Sequence, residues 1–195
     1  MKRIFLAVAA LVIVAFVSGC AHPISLTGNF AELAGSGTSK LDKAVGLTIS
    51  DANRTLEITG PGGGGDKVSY FPYRDLETGV YLALSESFSK VVRLNGVADP
   101  KVKEQALNYL ITPVISTTSA SPSLVTWPPT KFTIELICKV SDIDGKPVME
   151  IRAYGEGRAE FDEFKKDFSL ASKRAADAVL KNLVKVLNEE KIKLQ

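Results

Sequence analysis

The chain has 195 residues, with 24 Lys and Arg against 22 Asp and Glu, one histidine and two cysteines. Its net charge of +2 equals the contribution of Lys2 and Arg3, so the rest lacks the basic excess of a nucleic-acid-binding protein. The length fits one domain with a full core. The single histidine, His22, denies a folded domain both a Ser-His-Asp or Cys-His arrangement and the usual zinc ligands.

After Lys2 and Arg3, Ile4 to Val17 is an unbroken apolar run. A membrane-spanning helix needs about 20 such residues, so the run suits the core of a secretory leader better. The string Val17-Ser18-Gly19-Cys20 resembles a bacterial lipobox. The resemblance implies that the leader, residues 1–19, is removed after Gly19 and that Cys20 is acylated as the first mature residue. Each buried acyl methylene then contributes about 0.8 kcal/mol to anchoring. By the same resemblance, to Gram-negative lipoproteins, Ala21 in place of an aspartate implies sorting to the outer membrane, with the domain on the periplasmic face. Residues 20–43 show little apolar periodicity and contain Gly-Ser-Gly-Thr-Ser at 35–39, which predicts a flexible tether. Its apolar spots, Phe30 and Leu33, could still dock on the domain. His22 falls in the tether, away from any catalytic or metal role.

Residues 44–195 form a single domain in this reading. Residues 45–50 read as a strand, 51–54 as a turn and 56–59 as its hairpin partner. The run from Gly60 to Lys67 is a loop. A helix opens at Tyr73, with Leu76, Val80, Leu84, Phe88 and Val91 as one stripe, and stops at Asn95-Gly96. Residues 101–105 suit a helical turn, and 106–118 a strand in which Pro113 asks for an edge or a bulge. Residues 119–130 are a loop, and 132–141 are the clearest strand. Phe132, Ile134, Leu136, Cys138 and Val140 share one face of it, which makes Cys138 a buried small hydrophobe. Asp144-Gly145 suits a tight turn into a return strand, 148–161. That strand alternates Glu150, Arg152, Tyr154 and Glu156 with Met149, Ile151 and Ala153, as in a sheet wet on one side. Ser169 opens a last helix to Asn188, buried along Ala175, Val179, Leu183 and Leu187, with Ala176, Leu180 and Val186 beside them. The sequence thus predicts an α+β fold: a two-layer sandwich whose antiparallel or mixed sheet is packed by two amphipathic helices.

Chemistry is sparse. The glycine run has P-loop spacing, but Asp66-Lys67-Val68 stands where Lys-Ser/Thr is needed, and aspartate repels phosphate there. Glu156, Glu160, Asp162 and Glu163 could pair for hydrolysis but suit a solvated strand end. Asp142 and Asp144 lack the rest of a calcium loop. No catalytic residue, metal site or cofactor follows. The features that suit a partner are Leu124, Trp127 and Pro128 in the proline-stiffened 121–130 loop, with Tyr70 and Phe71 before the first helix as a second candidate.

A lipobox, a strand pair, Arg74-Asp75-Leu76 opening a helix, long central strands with a hairpin and an Ala/Leu-rich last helix together resemble the YajG-type lipoproteins. More distantly they resemble the ABC-transport auxiliary lipoproteins. The resemblance implies a non-enzymatic protein that binds or scaffolds an envelope protein partner in envelope maintenance or assembly, held to the membrane by the lipid on Cys20. The alternative is an accessory lipoprotein of lipid or solute transport, with an apolar ligand between helices and sheet.

Overall fold

The computed structural model describes residues 21–35, 39–121 and 128–194. The leader with Cys20, and the loop residues Leu124 and Trp127, lie outside them.

Residues 21–35 of the expected tether are part of the domain. His22–Pro23 form a short strand, β1, and Phe30–Leu33 a 3-10 turn. Ile24, Leu26, Phe30 and Leu33 are buried in the main core. The segment has no helical or strand period because polar side chains take up its backbone. Leu26 N donates to Asp75 Oδ2 at 3.0 Å, Ser25 N donates to Ser169 Oγ at 3.0 Å, and Ser25 O accepts from Ser172 Oγ at 2.7 Å. Phe30 lies beside Gly79, where an added Cβ would stand 3.1 Å from its ring. The domain boundary therefore moves back from residue 44 to residue 21.

Strand β2, Leu41–Thr48, follows, then a helical turn α1, Asp51–Arg54, capped by Ser50 Oγ accepting from Asn53 N. The expected hairpin between residues 45–50 and 56–59 does not form. Strand β3, Ile58–Pro61, pairs instead with β4, Lys67–Tyr70, across the glycine run. Strand β1 adds to the other edge of β4 in parallel, giving a three-stranded sheet β1-β4-β3.

Helix α2 spans Pro72–Ser85, with Pro72 at its first turn, where a missing N–H costs nothing. It ends ten residues before the expected stop at Asn95-Gly96, because Phe88–Leu94 is a strand, β5, parallel to β2. After a helical turn α3, Lys101–Glu104, come the long strands β6, Tyr109–Ala120, β7, Lys131–Asp142, and β8, Pro147–Arg158. The main sheet runs β5-β2-β6-β7-β8, parallel on the first side and antiparallel through the last three strands. A short helix α4, Phe161–Phe164, leads to α5, Leu170–Glu190, and a closing 3-10 turn, Lys191–Leu194. The fold class is the predicted α+β sandwich, with a mixed sheet.

Helices α2 and α5 cover one face of the sheet. Phe132, Ile134, Leu136, Cys138 and Val140 point into that core, all at most 1 % exposed. A smaller core of Leu94, Val102, Leu107 and Leu110 closes a separate part of the molecule, packed by Ala44 and Val92. Pro113 sits inside β6, paired with Cys138 on one side. On the other side β2 stops pairing at Ile111, and the Ile115 N–H turns to the Tyr73 hydroxyl at 3.3 Å. Pro113 faces the same way as Ile115, so its missing N–H removes no ladder bond, and the sequence demand for a local edge is met.

Candidate binding surface at the glycine turn

The two expected partner-binding clusters are placed very differently. Tyr70 is 2 % exposed; its ring meets Phe132 edge-on at 5.2 Å and its hydroxyl bonds Thr117 Oγ1 at 2.7 Å. Burial raises its pKa. It is a core residue and offers no surface to a partner. Phe71 is half-buried, immediately before α2, and carries the Arg74 guanidinium 3.9 Å above its ring. This pair staples the start of α2. Pro128 is buried, while Leu124 and Trp127 lie outside the described residues.

The glycine run singled out in the sequence borders a groove. It has a volume of about 720 Å³ and is lined by Thr59, the Gly60–Lys67 segment and Ser121. The hairpin turn is closed by Gly62 N donating to Asp66 O at 2.9 Å and Asp66 N donating to Gly63 O at 3.1 Å. Gly64 and Gly65 take φ of +65° and +86°, which a side chain resists. The same glycines leave backbone, not side chains, as the wall of the groove. Ser119 Oγ donates to Pro61 O at 2.6 Å and ties the turn to the end of β6. His22 Nε2 lies 3.7 Å from Asp66 Oδ2, so the first strand of the domain begins beside the turn. Lys67 is exposed, with no ion-pair partner among the described residues.

The acidic cluster is spent on structure. Lys131 and Arg158 hold Glu156 at 3.0 and 2.8 Å and lower its pKa to about 2. Arg174 holds Glu163 at 2.8 Å and lowers it likewise to about 2. Glu160 and Glu163 form a capping box on α4. A general acid needs a carboxyl held up, and these are held down. Asp142 accepts from Asp144 N at 3.0 Å and Lys146 N at 2.8 Å, which builds the turn with Gly145 at φ +85°. Among the described residues no group of three His, Cys, Asp or Glu side chains is placed to hold a metal. No described helix is long and apolar enough to cross a membrane.

A second groove, of about 480 Å³, runs along Lys139, Ser141, Pro147 and Met149 at the opposite end of the sheet. The space between helices and sheet, where an apolar ligand was the alternative expectation, is filled. Leu76, Val80, Ile134, Leu136, Val179 and Leu183 are all 0 % exposed there.

The arrangement defines the class: an α+β protein with a mixed five-stranded sheet covered on one face by two helices, and with grooves at its surface. No protein-family profile matches the chain. No curated protein sequence matches it. Among solved structures, it is similar in fold to protein XCC0632 of Xanthomonas campestris, a bacterial protein described as belonging to the DUF330 family. The TM-score is 0.52 and the identity 13 %, over 90 % of this chain and 94 % of that one. The likeness is one of fold.

Proposed function

We propose that this chain is a lipoprotein anchored in the outer membrane through Cys20, with its domain on the periplasmic face and a non-catalytic binding or scaffolding role in envelope maintenance or assembly. The finer kinship, to the YajG-type lipoproteins, belongs to the same proposal. The observation that carries the reading is that the folded domain reaches back to His22, two residues after Cys20. A cut after Gly19 would leave a mature chain that begins where the fold begins. Glu156 and Glu163 are held ionised by their own cationic neighbours, which argues against these two carboxyls as general acids. The ligand-carrying transport alternative finds no support in the filled space between helices and sheet.

The test is Cys20→Ser, followed by metabolic labelling with an alkyne fatty acid and membrane fractionation. The natural chain takes the label and is processed. The variant is expected to take none and to remain a precursor. Labelling of the variant equal to that of the natural chain would sink the reading. Crosslinking in the native envelope, with Trp127→Ala as comparison, then identifies the partner. Leu124 and Trp127 remain the proposed contacts.

A further inference from the structure

Strand β1 is parallel to β4, with His22 opposite Val68 and Pro23 opposite Ser69. Chain that precedes His22 therefore runs toward the turn before β4, and the 3.7 Å approach of His22 to Asp66 marks the spot. Cys20 stands two residues before His22, so it lies within about 7 Å of it whatever path the chain takes. Because residues 21–35 are docked rather than free, an acylated Cys20 leaves the domain no stand-off. The Gly62–Lys67 turn must then lie at the level of the lipid headgroups. The far end of the molecule is the β7–β8 turn. Ser119, which holds the glycine turn, pairs with Phe132 at the start of β7, and the other end of that strand is about 35 Å away.

The groove at this end suits a headgroup. Its wall is glycine backbone, which lets a phosphate approach peptide N–H groups closely. Its two charged side chains are adjacent and opposite in sign: Asp66 and Lys67. We propose that the Gly62–Lys67 turn faces the bilayer that holds Cys20 and seats the zwitterionic headgroup of a phosphatidylethanolamine lipid. Lys67 meets the phosphate and Asp66 the ammonium. This rests on reading Cys20 as the anchor. The pairing of signs explains the departure from a P-loop: aspartate repels a bare phosphate but holds the amine of a zwitterion.

The test uses the full acylated chain in phosphatidylethanolamine vesicles containing a minor share of phosphatidylglycerol. A fluorophore is placed at Thr59→Cys beside the groove or at Asp144→Cys on the far turn; Cys138 is fully buried and stays unlabelled. A lipid spin-labelled at its headgroup should quench the first probe and leave the second nearly untouched. Equal quenching, or stronger quenching at Asp144, overturns the orientation. Native mass spectrometry of the detergent-released protein then reads retained lipid. Lys67→Ala should cut retained phosphatidylethanolamine about tenfold, the loss expected from one charge-assisted contact. Asp66→Ala should abolish the preference over phosphatidylcholine. Retention unchanged in both variants, or a protein crosslinked at residue 59 in place of lipid, overturns the site. The intact mass separates the two readings. A chain without acyl mass fails the anchor. A chain acylated and vesicle-bound with an unquenched Thr59 probe fails only the headgroup site.

Discussion

A Cβ placed on Gly157 would stand 2.1 Å from the carbonyl oxygen of Ala171, so β8 and α5 touch backbone to backbone. Gly155 repeats the contact one step along, 2.4 Å from Ala175 O and 2.4 Å from Val179 N. Neither neighbour is a flexible side-chain tip, so neither can yield. Gly157→Ala is expected to lower stability by about 3 kcal/mol in urea unfolding, at the upper end of the usual overpacking range. Gly96→Ala, with nothing within 4 Å of its added Cβ, should change stability by about 0.5 kcal/mol at most. Equal behaviour of the two variants would show that the helix rides higher on the sheet than described.

Phe30→Ala tests whether the first residues after Cys20 are structural. Phe30 is 7 % exposed and lies against Gly79 between α2 and α5. Truncation should cost about 3 to 4 kcal/mol, as for other buried aromatic residues. A freely moving tether predicts a change near zero. Leu56→Ala, at an exposed position, is the surface control. Limited proteolysis gives a second reading: the natural chain should resist cleavage through residues 21–35, and the variant should lose that protection.

The long strands and the last helix were legible because their periods are unambiguous. Residues 131–142 and 147–158 alternate along most of their length, and 170–190 repeat every three or four residues. The errors fall where a pattern has two readings or none. Phe88 and Val91 continue the stripe of Leu76, Val80 and Leu84, so they read as helix. What ends that helix is the parallel pairing of Phe88–Leu94 with Leu41–Thr48, a strand distant in sequence, which local spacing does not encode. Residues 21–35 carry single anchors without a period. Their backbone is satisfied by Asp75, Ser169 and Ser172, side chains distant in sequence. Tyr70 looked like a contact residue because aromatic residues suit both interfaces and cores; only its approach to Phe132 and Thr117 decides between them. The Gly60–Lys67 run was legible as a loop, whereas the groove it forms also needs Ser121, distant in sequence, beside it.

Cys138 should be inert in the native protein. It is fully buried, and desolvation pushes its thiol up to about 12, well above any assay pH. At pH 8 a maleimide is expected to label it only in denaturant, with full stoichiometry there. Rapid labelling of the native chain would place the thiol at the surface. Cys138→Ser should cost about 2 kcal/mol, since the hydroxyl enters a site built for an apolar atom.

Acid should loosen the joint between α4 and α5. Arg174 lowers the pKa of Glu163 from 4.5 to about 2. A depressed folded-state pKa gives stability that is present above the unfolded value and lost as pH falls through the folded one. The loss due to this pair therefore falls between 4.5 and about 2. Arg174→Ala should flatten the pH dependence of unfolding in that window and leave it unchanged above neutrality. A slope identical to that of the natural chain would show that the exposed pair is screened out.

Asp177 carries the opposite sign. Its Oδ1 is buried without a hydrogen-bond partner among the described residues, pressed against Gly28, where an added Cβ would lie 2.0 Å away. Desolvation raises its pKa against the backbone hydrogen bond from Asn29 and the nearby Lys181. A carboxyl whose folded-state pKa is raised favours folding below its unfolded value, and that advantage is lost as pH rises through the folded value. At neutral pH the charge thus works against the docking of residues 28–32 on α5. Asp177→Asn keeps the shape and removes the charge. It should raise the melting temperature at pH 7, leave it nearly unchanged at pH 3, and remove this group's share of the decline between. Amide hydrogen exchange at residues 24–33 should slow in the variant at pH 7. A variant less stable than the natural chain at neutral pH would show instead that the ionised carboxylate is what holds the segment in place.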